Sequence, residues 1–219
     1  MLLEPWAGDM AVLPMFPLGS VLFPHLPLSL RIFEERYLKL LGDLMTTDTP
    51  EFGVVLIERG VEVGGDEKRF GIGTIAAVGD IGTTEEFYGL QAVGSQRFRV
   101  NAWLPDDPYP LADIDVLPEL VWDDGLDALR SKTEQTVRKL LAFASEFGDL
   151  QYGADVELSN DPVESCWQLA GILPVGSLDQ LDLLGSATAE ELLTRTLEIA
   201  QVAFDTLTAM MAEGEGEEL

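Results

Sequence analysis

Apolar and polar positions in the first 118 residues alternate mostly at the period of strands. Residues 13–32 form an apolar run broken by Pro14, Pro17, Pro24 and Pro27. Each proline lacks a backbone donor and fixes φ, so the run predicts strands confined to edges, bends or corners. From Phe33 the period lengthens. Phe33, Tyr37, Leu40, Leu41 and Leu44 share one face of a predicted helix, and Glu34, Glu35, Lys39 and Asp43 share the other. The helix is expected to end before Pro50. Residues 52–58 are a continuous apolar run of strand length, and 59–69, with Gly60, Gly64 and Gly65, read as a loop or hairpin connection. In 70–81 glycines interrupt Ile72, Ile75, Val78 and Ile81, which permits bulges or close strand approach. Residues 86–94 and 95–105 alternate through Phe87, Leu90, Phe98, Val100 and Trp103 and predict two paired antiparallel strands. A last strand alternates Leu111, Ile114 and Val116 with Asp113 and Asp115. About six short strands and one early helix fit a closed or nearly closed β-barrel.

The pattern changes at Pro118. Asp123 or Asp124 caps a predicted helix carrying Leu126, Leu129, Val137, Leu140, Leu141 and Ala144, ended by Gly148. After a polar connector over 149–160, Asp161, Pro162 and Glu164 supply an N-cap, a first-turn proline and a capping-box acid for a helix bearing Cys166, Leu169, Ala170 and Ile172. Ser177 with Gln180 and Thr188 with Glu191 repeat the capping box for a short and a long helix. In the long one Leu192, Leu193, Thr196, Leu197, Ala200, Phe204 and Leu207 form one stripe that needs a partner surface. The fold class expected is therefore α+β, with a β-barrel over 11–118 and a helical bundle over 123–212. The acidic, glycine-rich 213–219 is expected to stay unfolded.

Composition narrows the function classes. Among 219 residues, 39 acidic against 13 basic side chains give a formal net charge of −26, which repels a polyphosphate backbone and makes nucleic acid a poor partner. Solubility or adaptation to salt accounts for such acidity; so does attraction toward basic or unfolded clients. No stretch approaches the roughly 18 uninterrupted apolar residues of a membrane span. The start, MLLEPWAGDM, has no basic flank of a secretory signal, so cytoplasmic residence is expected. The single Cys166 and single His25 leave no internal disulfide and no Cys- or His-rich metal site, and neither metal nor cofactor is expected.

Few side chains offer catalytic chemistry. The lysines Lys39, Lys68, Lys132 and Lys139 follow Leu, Glu, Ser and Arg, so none completes a phosphate-binding G-x-x-x-x-G-K-[ST] loop. Ser131 beside Lys132 resembles a nucleophile–base pair, yet helix neighbours point about 100° apart. No local pair of carboxylates has metal-ligand or glycosidase context. Glu34 with Arg97 or Arg36 reads as a structural clamp between helix and barrel, because an arginine flanked by apolar strand residues needs a carboxylate partner. Cys166 reads as a small core hydrophobe, His25 as a turn residue, and Trp103, Trp122 and Trp167 as markers of the junction between the halves.

The opening, LPMFPL, VLFP, IFE and RY between residues 13 and 37, resembles the start of the Lon protease N-terminal domain family. GTIAAV at 73–78, GSQRFRV at 94–100, YPLADIDVLPE at 109–119 and the helical run 161–193 are similar to further segments of that family in the same order. The resemblance covers about 12–207 and implies a PUA-like barrel followed by helices in a stand-alone member without ATPase or protease domains. His25 departs from it, standing where stand-alone members often carry Gly; Ser29, Arg31 and the Glu34-Glu35-Arg36 run depart as well. The function implied is non-catalytic recognition of unfolded or partner polypeptides, with no membrane partner and no indication of oligomeric state. The alternatives are a small-ligand-binding PUA-like protein and an enzyme using pocket carboxylates. The binding surface is expected where barrel loops meet the helical half, with Phe16, Leu22, Phe23, His25 and Leu26 as its candidates.

Overall fold

The computed structural model describes residues 11–59, 68–83, 87–148 and 150–217. The chain divides between Glu119 and Leu120 into two compact units. The first holds β1 (Ala11–Leu18), β2 (Pro27–Ile32), α1 (Glu35–Leu44), β3 (Glu51–Arg59), β4 (Lys68–Thr83), β5 (Tyr88–Leu104) and β6 (Leu111–Val116). Residues 1–10 and most of the glycine-rich loop expected at 59–69 lie outside the described residues.

The six strands form one sheet in the order β2-β5-β4-β3-β1-β6, and β5 also pairs with β6. The pairings β5-β4-β3-β1-β6 thus return on themselves, with β2 attached to the outer flank of β5. Among the described residues only β1 and β3 run parallel, and parallel neighbours need a crossover; here β2 and α1 supply it. The prolines of β1 fit because the strand changes sides halfway. Ala11–Pro14 pair with β6 and Met15–Leu18 with β3, so neither half has a described ladder on both flanks, and a missing donor is tolerated.

Successive side chains in a strand face opposite sides, and both sides are buried here. One cluster gathers Phe16, Leu18, Phe52, Val54, Leu90 and Ala92 under Tyr37, Leu40, Leu41 and Leu44 of α1. The other joins Met15, Val55, Ile75, Phe98, Ala112 and Ile114. Gly73 is required here, since a Cβ would strike the Val54 carbonyl and lie 2.7 Å from the Phe98 ring.

Three expectations for this unit need correction. Residues 86–105 are not two strands but the single 17-residue β5. Its partner changes from β2 over 88–93 to β6 from Phe98 onward, so the break in alternation at Gly94 marks a change of neighbour rather than a turn. Phe33 does not join the helical stripe; it precedes α1 and is 57% exposed. Glu34 is the N-cap of α1 and makes no side-chain capping bond.

The second unit contains a 3-10 turn (Asp124–Leu126), α2 (Asp127–Ala144), α3 (Pro162–Gly171), α4 (Ser177–Leu184) and α5 (Ala189–Glu217). Asp123 caps the 3-10 turn through the Gly125 N–H at 2.7 Å. Asp161 Oδ1 accepts from the N–H groups of Val163 and Glu164 at 2.9 and 3.0 Å, with Pro162 opening α3. Ser177 does not cap α4; Gly176 occupies the N-cap, and Gln180 donates instead to the Leu173 carbonyl. At α5 Thr188 accepts from the Glu191 N–H, while the Glu191 carboxylate takes the N–H of Ala187, one residue before the usual partner. Buried Leu192, Leu193, Thr196, Leu197 and Ala200 line the α5 stripe, which packs on α2, α3 and α4. The helical backbone of α5 reaches Glu217, into the segment expected to be unfolded. Once nucleated, a helix gains a hydrogen bond for each residue added.

Candidate functional site

The residues expected at a binding surface lie in the interior instead. Phe16 stacks on Tyr37 with ring centroids 4.0 Å apart and 19° between planes, the geometry of an offset aromatic pair in a core. Leu22 belongs to the same buried cluster. Phe23 is 1% exposed and Leu26 is buried as well. The reason is local: residues 22–26 fold down onto β4 and β5. Thr74 Oγ1 donates to the Leu22 carbonyl at 2.6 Å, the His25 N–H to the Gly94 carbonyl at 2.8 Å, and the Gly94 N–H to the Leu26 carbonyl at 2.9 Å. A Cβ on Gly94 would strike the Phe23 carbonyl, so that glycine lets the loop reach the strand. His25 sits half-buried at the bend with φ 62°, the left-handed conformation that glycine adopts most readily. The loop therefore seals the core, and its apolar residues are not a docking surface in this conformation.

Of the pairings expected of the clamp, the one between Glu34 and Arg36 is formed. Glu34 Oε2 accepts from Arg36 Nε at 3.2 Å, and the Arg36 guanidinium lies over the Tyr37 ring at 4.4 Å, which fixes the N-terminal turn of α1. Arg97 is buried in β5 and donates to the Pro118 carbonyl at 3.2 Å. Burial pushes its guanidinium down to about 10, still charged at neutral pH. In the second unit Ser131 and Lys132 are both exposed on α2, and Cys166 is buried, its thiol pushed up to about 12 by desolvation. Trp167 is buried, and Arg130 lies 5.9 Å over the Trp122 ring. Among the described residues no group of three or more His, Cys, Asp or Glu side chains could hold a metal ion. No helix among them is long and apolar enough to cross a membrane.

Among the described residues, a groove on the flank of α1 offers apolar contact. Leu38, Leu41, Gly42 and Met45 form one wall, at a spacing that places them along one side of the helix. Ile81 of β4 and Tyr88 of β5 form the other, and the space between measures about 430 Å³. Met45 is 61% and Tyr88 42% exposed, so the groove opens to solvent. Its helix is well anchored. The core-facing stripe is buried below, and Asp43 accepts from Tyr109 at 2.9 Å and from Lys39. Those two bonds, Lys39 first, hold the Asp43 carboxyl below its ordinary range. Gly42 lies in the groove wall, and a Cβ there would meet no atom within 4 Å.

The sequence carried a signal for this site. Tyr37, Leu38, Leu40, Leu41, Leu44 and Met45 make an apolar arc wider than one core-facing stripe requires, and Leu38 and Met45 are the surplus. Ile81 and Tyr88 carried none, because only the pairing of β4 with β5 places them beside α1.

Comparison with known proteins agrees with this architecture. The family described as the ATP-dependent protease La (LON) substrate-binding domain matches residues 12–202. Lon protease 2 of Sorangium cellulosum is 32% identical over 144 residues, 63% of this chain and 18% of that protein; the chain spans less than a fifth of that relative's length. A Lon N-terminal domain protein from Xanthomonas campestris superposes with a TM-score of 0.62 at 24% identity, covering 86% of this chain and 98% of the other. The N-terminal domain of Mycobacterium avium complex Lon protease gives 0.61 at 13% identity, covering 89% and 98%. At those identities the two structures speak for the fold alone.

Proposed function

Because this chain belongs to the family of ATP-dependent protease La (LON) substrate-binding domains, we propose that it recognises polypeptides by binding alone, through the groove beside α1. We take the closed circuit of strand pairings as a PUA-like barrel that supports the groove, and the second unit as a helical bundle. The family gives the role of substrate recognition; the groove is the observation that carries its location. It is open and apolar, and it stands on a rigid core. Gly42 adds support. A glycine inside a helix costs about 0.5–1 kcal/mol relative to alanine, and no neighbour here excludes a side chain. What the glycine provides is room between Leu38 and Met45.

The occupant this reading calls for is an unfolded or extended polypeptide with apolar side chains. Its affinity is of about micromolar order or weaker, because an ordered peptide loses conformational freedom on binding. The net charge of −26 favours basic clients and disfavours nucleic acid. The test is fluorescence anisotropy of a labelled, lysine-flanked apolar decapeptide titrated with the full chain and with Met45→Glu. Met45 is exposed, so the variant keeps the fold while placing a charge in the groove. Loss of about tenfold or more in affinity is expected; an unchanged affinity with intact folding would reject the groove.

A further inference from the structure

We propose that the client enters as an added β-strand on the free edge of β4 at Gly79–Thr83; this deepens, and rests on, the reading of the groove as a polypeptide site. Three observations point there. The first is an open ladder. β3 pairs with β4 only as far as Glu51 opposite Ala77, followed by a bond from the Val78 N–H to the Pro50 carbonyl. Beyond Val78 the ladder shifts register at Gly79, and β4 continues from Asp80 to Thr83 with β5 on one side. Among the described residues no strand pairs with the other side. An exposed strand edge is a template for an extended chain, whose main-chain bonds give affinity irrespective of sequence.

The second observation is where that edge lies. Ile81 is opposite Leu90, and Leu90 belongs to the cluster under α1, so Ile81 faces the α1 side and lines the groove. A strand laid along Gly79–Thr83 presents every second side chain to that same side. Main-chain pairing and apolar side-chain contact are thus available to one extended segment at once. Asp80 Oδ1 accepts the Ile81 N–H at 2.9 Å, and an edge capped by its own carboxylate is protected from indiscriminate pairing.

The third is charge. Asp80 is on the edge, Glu51 stands opposite Ala77 where the β3 ladder ends, and Asp48 lies two residues before Pro50. The two cations of the groove helix are both engaged, Arg36 by Glu34 and Lys39 by Asp43. The client that fits is an extended segment with alternating apolar residues and flanking lysine or arginine.

A scan of single N-methyl groups through the core of the lysine-flanked decapeptide tests the mode, read by anisotropy on the full chain. Methylation removes one main-chain donor and leaves the side chains unchanged. Strand addition predicts a period of two: methylation at alternate residues weakens binding about tenfold, and at the residues between by less than about twofold. A glutamate-flanked peptide should bind more weakly at low salt. A flat N-methyl profile, with binding still lost in Met45→Glu, would reject strand addition while leaving the groove as the site. Binding indifferent to Met45→Glu, or no saturable binding of the parent peptide, would overturn both. Equal or tighter binding of the glutamate-flanked peptide would reject the basic client.

Discussion

His25 shows how one backbone angle is held by its surroundings. A side chain in the left-handed region costs about 1–2 kcal/mol, and the bonds that join residues 22–26 to Thr74 and Gly94 hold it there. Asparagine tolerates that region, whereas a β-branched residue does not. His25→Asn should therefore stay within about 0.5 kcal/mol of the parent in urea denaturation, and His25→Val should lose about 1–2 kcal/mol. Equal losses would mean that the ring contacts, not the angle, set the cost. Cys166 gives a pH-dependent case. Its thiol ordinarily titrates near 9, and in the fold burial pushes it up to about 12, opposed by Arg130. Above pH 9 the unfolded chain releases a proton that the folded chain still holds, so this group's contribution to stability falls as pH rises toward 12. The stability advantage of the parent over Cys166→Ala should narrow across that window, and thiol labelling should be no faster than unfolding. An advantage that widens would contradict the assignment.

Among the elements, those built on local periodicity were legible and those built on distant contacts were not. β3, β6, α2 and α3 follow from runs, alternation and caps contained in their own residues. The Asp161 cap of α3 is such a feature, and Asp161→Ala should cost about 1 kcal/mol in thermal or urea unfolding; a neutral result would show that Pro162 alone fixes the helix start. β5 reads as two strands because Gly94 interrupts its alternation, and the cause lies about 70 positions earlier in sequence, where the Phe23 carbonyl leaves no room for a Cβ on Gly94. The same loop buries the apolar residues expected at a binding surface. Phe16, Leu22, Phe23 and Leu26 are apolar and lie between prolines, which fits an exposed corner as well as a buried plug. Only the hydrogen bonds to Thr74 and Gly94 decide for the plug. α1 was legible as a helix, and half of its groove was written in its surplus apolar width, but the opposite wall depends on the register of β4 with β5.

For the molecule as a whole, the proposed function joins charge and groove. In the proposed mode of binding, the net charge of −26 is what attracts basic segments from a distance, and apolar contact is what retains them at the surface. Salt screens the first effect, with a Debye length of about 10 Å at 0.1 M, and leaves the second largely intact. The ratio of affinities for lysine-flanked over glutamate-flanked peptides should therefore fall as salt is added, while the apolar requirement persists. A ratio independent of salt would place the discrimination in close contacts instead. The claim that the α1 groove is the polypeptide site is tested most directly at Gly42, where one position separates the room in the groove from the stability of the helix. Gly42→Ala should raise stability by about 0.5–1 kcal/mol, with peptide affinity within about twofold of the parent. Gly42→Leu, folded and equally helical, should fill the space between Leu38 and Met45 and weaken binding about tenfold or more. Parent-like binding by a folded Gly42→Leu protein would contradict the account.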